Sequence, residues 1–209
     1  MRKPEVASFC ASCGAEMIGL HCIWHPPSGE KLATFQDIFR VVQGRCKCVL
    51  VTRQKDIPTI IDMIQGMAWD YIQLHSDWAL SSINQLRARL SESGRSLGLI
   101  GVIEISMQGI TRIKKIAEAT DILLLDSSIR GGSGTSASSA LLEQAVSHIQ
   151  SKPFLIAGGL REENVSHIIE KYHPWGVDVQ SGVEKPGGSR EKDFDMIRGF
   201  ISTVRSPTR

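Results

Sequence analysis

The sequence predicts an α/β protein, a (β/α)8 barrel without its first strand. Two observations carry that expectation. Seven short apolar runs alternate with amphipathic helical stretches, and successive runs end about 22 to 32 residues apart, the length of one strand-plus-helix unit. The glycine-rich turns follow the last three runs, not the first. A dinucleotide fold would put its glycines after strand one, whereas a barrel often places a phosphate site after strands seven and eight. A doubly wound open sheet is the alternative that this placement disfavours.

The elements follow in order. "PEVASFCASC" reads as a helix, so the chain opens on the second half of a unit. The strand runs are 16–24, 46–52, 71–75, 97–105, 122–127, 154–159 and 176–181. Each is rich in Ile, Leu and Val and nearly continuous, as in parallel strands covered on both faces. Between them, Ile57, Ile60, Ile61 and Ile64 recur at helical spacing, as do Leu80, Ile83, Leu86 and Leu90. "ENVSHIIEKY" and "FDMIRGFISTV" behave likewise. No linker interrupts the pattern, so residues 1–209 read as a single domain.

Composition narrows the function classes. The net charge of +2 is too small, and too scattered, to argue for nucleic acid or an anionic membrane. No apolar stretch reaches the roughly 18 residues of a spanning helix, and no apolar leader opens the chain. Five cysteines form no disulfide framework and suit a reducing cytoplasm. Cys10 with Cys13 and Cys46 with Cys48 resemble metal pairs. They read instead as buried thiols, because no second pair stands at zinc-ribbon spacing. No metal or cofactor is expected.

"LIAGGLREENV" is a strand, a Gly-Gly turn and a helix start. Gly158 and Gly159 let backbone N–H groups approach an anion. "VDVQSGVEKPGG" repeats the device with Ser181 and Gly182, and together the two loops make a phosphate cradle without Lys or Arg. "ILLLDSSIRGGSGTS" ends a buried strand on Asp126, where catalytic residues sit in barrels. The loop after it, with Gly132, is suited to closing over a ligand. "YIQLH" offers Gln73 and His75 as substrate-binding candidates, although His75 reads best as a hydrogen-bonded wall residue. His21, Cys22 and His25 cluster after the first run; one could reach the mouth, but an exposed loop with a packed Cys is the simpler reading. Asp178, inside its strand, reads as structural.

Together "YIQLH", "LLLDSSIRGGSGTS", "FLIAGGLREENV" and "GVDVQSGVEKPGGSREKDFDMIRGFI" resemble the phosphoribosylanthranilate isomerases of tryptophan biosynthesis. The resemblance implies a cofactor-free (β/α)8 enzyme that performs an Amadori rearrangement on a small phosphorylated substrate. It makes Asp126 the general acid and places the phosphate on Gly158, Gly159, Ser181 and Gly182. Three departures accompany it. The family's basic Cys sits on a strand ahead of the first helix, where only "MRK" stands, which leaves His21 or Cys22 as alternative bases. Glu30 falls where the family carries an Arg. Thr135, Ser136, Ala137 and Ser138 replace an aromatic support. These departures keep two other readings open: a relative acting on another phosphorylated substrate, or a non-catalytic barrel that binds a phosphometabolite or a protein. An open barrel edge would call for a second copy or a partner chain to cover it.

Overall fold

A computed structural model describes residues 1–75, 77–127 and 136–206, the side chains of 136–138 excepted. The chain divides into two compact units, Met1–Gly101 and Val102–Arg209.

In the first unit, helix α1 (Pro4–Cys13) precedes β1 (Met17–His21). Pro4 suits the first turn, where its missing N–H costs nothing. Gly14, at φ +101°, closes the helix and returns its N–H to Ala11 O. There follow α2 (Gly29–Val42), β2 (Lys47–Thr52), α3 (Ile57–Ile64), β3 (Tyr71–Leu74), α4 (Leu80–Glu92) and β4 (Gly98–Glu104), the last running past the unit's end. The strands are parallel, in the order β1-β2-β3-β4. Register fixes two faces. Leu20, Leu50 and Ile72 share one, and all three are fully buried. Thr52 lies on that same face, its hydroxyl oxygen 3.7 Å from Met63 Sδ of α3, so this is the helix-covered face. His21, Val51, Gln73 and Ile100 form a row on the other.

In the second unit the end of β4 leads to α5 (Met107–Ile110), α6 (Ile113–Ala119), β5 (Ile122–Asp126), α7 (Ser136–Ser147), β6 (Phe154–Ala157), α8 (Glu162–Tyr172) and β7 (Gly176–Asp178). A single 3-10 turn (Ser181–Val183) and α9 (Phe194–Arg205) complete it. Strands β5, β6 and β7 are again parallel and sequential. Leu125 and Ile156 pair in register and are fully buried. One residue on, Asp126, Ala157 and Asp178 stand in a row at the C-terminal ends of their strands.

One boundary differs from the sequence expectation: the last strand stops at Asp178, so Ser181 and Gly182 belong to a turn. Before β5 stand two short helices: Ser106 caps α5 by accepting the Gly109 N–H (3.0 Å), and Thr111–Arg112 separates it from α6.

Candidate functional site

In the second unit, the site is built on the ends of β5, β6 and β7. Ser127, next to Asp126, donates its hydroxyl to Ala157 O (2.9 Å) and Gly158 O (3.1 Å), while its N–H also reaches Ala157 O (2.9 Å). The β5 end is thereby stitched to the Gly-Gly turn. Gly158 and Gly159 both adopt positive φ, at +92° and +66°, which explains glycine at both positions. The turn leads into α8, where Asn164 accepts the Arg161 N–H (2.8 Å) and donates to Gly159 O (3.1 Å).

The second loop packs on the first at one point. A Cβ on Gly182 would lie 1.8 Å from Leu160 O, so only glycine permits that approach. Among the described residues, no acceptor takes up the N–H of Gly159, Ser181 or Gly182. A buried, unanswered Gly182 amide is costly without a ligand and favourable with an anion. No cation is needed at such a cradle, since converging amide dipoles supply the positive potential.

Asp178 is exposed at the end of β7. Desolvation first, then the Asp126 charge, pushes its carboxyl above the usual range, and Lys192 opposes this. It stands level with Asp126 on the same face, with Ala157 between them. Sequence reading missed Ser127, although it adjoins Asp126 in the "DSS" triplet. It also missed Lys192 and Glu184, which carried no signal because they meet across a loop.

The first unit brings Gln73 and His75 together. Gln73 is buried and its amide nitrogen lies 2.7 Å from His75 Nε2. The amide nitrogen can only donate, so Nε2 is the acceptor of this pair. His21, exposed at the end of β1, lies on the same sheet face as Gln73. Cys22 does not suit the role of a base. It is fully buried, its thiol donates to His25 O (2.7 Å), and burial pushes its pKa up against the pull of Lys31. Gly132 and Thr135 lie outside the described residues. Among those described, no group of three His, Cys, Asp or Glu side chains could hold a metal ion. Cys10 and Cys48 are buried, and burial drives the Cys48 thiol to about 12.

Sequential parallel strands alternating with helices, the last two ending in glycine-containing loops, define an α/β protein of the (β/α)-barrel class. Known structures agree. TrpF from Jonesia denitrificans aligns over 100% of this chain and 96% of its own, with a TM-score of 0.77 at 23% identity. Phosphoribosyl anthranilate isomerase from Thermotoga maritima aligns over 98% and 95%, at 0.79 and 22%. The family model for N-(5'-phosphoribosyl)anthranilate (PRA) isomerase matches residues 17–203, and the chain belongs to that family. Among curated relatives, the N-(5'-phosphoribosyl)anthranilate isomerase of Aquifex aeolicus is 30% identical, covering 97% of this chain and 94% of its own. That of Nitrobacter winogradskyi is also 30% identical, covering 99% and 90%.

Proposed function

We propose that the chain isomerises N-(5'-phosphoribosyl)anthranilate to the corresponding 1-amino-2-ketose phosphate, a step of tryptophan biosynthesis. Family membership across residues 17–203 carries this reading. The geometry of the second unit supports it, with a carboxylate standing beside a glycine cradle. A family structure, 22% identical with a TM-score of 0.74 and covering 98% of this chain and 94% of its own, holds reduced 1-(o-carboxyphenylamino)-1-deoxyribulose 5-phosphate. In the proposed mechanism the amides of Gly158, Gly159, Ser181 and Gly182 hold the substrate phosphate. Asp126 gives its proton to the furanose ring oxygen as the C1–O bond breaks, leaving an imine. A base then removes the C2 proton, and the enolamine relaxes to the ketose. Of the two alternative base candidates within these residues, His21 is solvent-accessible and Cys22 is buried, so His21 suits the role better than Cys22. Gln73 and His75 act as substrate-binding groups, as does Gly132. Asp126→Asn tests the assignment. It should lower kcat by about 10²- to 10⁴-fold with KM little changed; undiminished turnover would remove Asp126 from the mechanism.

Glu30 favours a second reading. It is exposed in the first turn of α2, where the family pattern has a cation. A carboxylate there would repel the carboxylate of anthranilate, which fits a phosphorylated substrate lacking that group. Glu30→Arg separates the two: a lower KM for phosphoribosylanthranilate would show that Glu30 works against this substrate. The biosynthetic role implies a cytoplasmic enzyme; among the described residues no helix is long and apolar enough to cross a membrane. A second copy or a partner chain covering a sheet edge remains part of the proposal. Sedimentation showing only monomer would dismiss it.

A further inference from the structure

Lys192 is the basic residue tied most closely to the second glycine loop, and it is committed elsewhere than to a ligand. Its Nζ donates to Gln180 O (2.5 Å) and pairs with Glu184 Oε1 (3.2 Å). The two side chains are only 16% and 17% exposed, unusually sheltered for an ion pair. The backbone draws them together. Glu184 and Lys192 form an isolated antiparallel bridge, Lys185 N–H donates to Glu191 O (2.8 Å), and Gly187 and Gly188 turn the chain at positive φ. Asp193 N–H then donates to Val183 O (3.0 Å), fastening the start of α9 to the 3-10 turn.

The consequence lies in the peptide between Gln180 and Ser181. It is trans, so its C=O and N–H point in opposite directions. Holding Gln180 O on Lys192 therefore fixes where the Ser181 N–H points, which is away from Lys192. We propose that Lys192 is a positioning residue: clamped between Gln180 O and Glu184, it aims the Ser181 amide at the bound phosphate without touching it. The inference rests on the phosphate-cradle reading above and deepens it. An alternative role, direct attraction of the phosphate by the lysine charge, predicts a different sign for one variant.

The test uses the full chain, inorganic phosphate as the calorimetric probe and steady-state turnover of phosphoribosylanthranilate. Lys192→Met and Glu184→Ala should each weaken phosphate binding about tenfold. Each should raise KM by a similar factor and leave kcat nearly unchanged. Both remove the same clamp, so the double variant should bind no more weakly than either single one. It also leaves no lone buried charge, which keeps the test open if a single variant fails to fold. Tighter phosphate binding by Glu184→Ala would mean that Lys192 acts by its charge, overturning the proposal. So would wild-type affinity in Lys192→Met, or losses that multiply in the double variant. Wild-type protein that turns over substrate but shows no phosphate binding would instead refute the cradle itself, and the clamp with it.

Discussion

Replacing Gly182 by alanine would place a methyl carbon 1.8 Å from Leu160 O and 2.9 Å from Leu160 C. Atoms this close must separate by more than an ångström, and the obstacle is backbone, which cannot rotate aside as a side chain could. Either the 3-10 turn or the Leu160 segment has to move; the first carries the Ser181 and Gly182 amides, and the second directly follows those of Gly158 and Gly159. Overpacking of this kind costs about 1–3 kcal/mol of stability. A misplacement near 1 Å at a binding locus can cost about 10²-fold in function. We therefore expect Gly182→Ala to raise KM roughly 10- to 100-fold, read by steady-state kinetics alongside phosphate calorimetry. Gly159→Ala is the internal control. Its Cβ would meet nothing within 4 Å, and the only penalty is φ at +66°, about 1–2 kcal/mol of local strain. It should fold and bind several-fold more weakly at most. A folded Gly182→Ala protein with unaltered KM would refute the reasoning, because the tight approach would then have nothing to do with ligand.

Asp178→Asn bears on pH. The folded protein raises the Asp178 pKa, so ionising this carboxyl costs the fold stability as pH climbs from the unfolded toward the folded value. The variant should melt higher than wild type at neutral pH, with the gap closing in acid below the ordinary carboxylate range; a constant gap across pH would contradict this. Thr52 is fully buried, donates its hydroxyl to Ile23 O (3.1 Å) and accepts the Gln54 N–H (3.0 Å). Thr52→Val leaves the Gln54 N–H unanswered, while Ile23 O keeps the Arg53 N–H (3.1 Å), and should cost about 1–3 kcal/mol in urea unfolding, with no change in m-value.

The strands were legible because a parallel strand buried on both faces has no polar positions to confuse the pattern: Lys47–Thr52 is buried at every residue after the first. Helices with one clean apolar stripe were equally plain, as with Ile60, Met63 and Ile64 of α3. The break between α5 and α6 was not. Within α5, a Cβ at Gly109 would lie 2.0 Å from Glu104 O, a close approach no periodicity encodes. The same limit governs the site. Asp126 and the glycines stand at strand ends, where position alone suggests chemistry. Asp178 stands there too, and its place level with Asp126 comes from the strand register, which an isolated acid within an apolar run does not announce. Lys192 and Glu184 are seven residues of loop apart, and only the returning backbone brings them together.

Glu30 shows how far a single departure from a pattern can be pressed. Its position in the first turn of α2 has a local explanation, because a carboxylate there opposes the positive end of the helix dipole. The residue is thus accounted for without any ligand, and its charge alone does not decide between substrates. What matters is whether another cation serves in place of the Arg. Lys31 is adjacent, its Nζ stands 5.6 Å from the Phe35 ring centroid, and its charge is felt at Cys22, immediately after β1. A helix-start acid followed by a lysine whose charge is felt at the end of β1 satisfies the dipole and leaves a cation for a carboxylate ligand. The departure at position 30 is therefore a weaker argument for a different substrate than the sequence pattern suggests, and the isomerase reading is correspondingly the stronger.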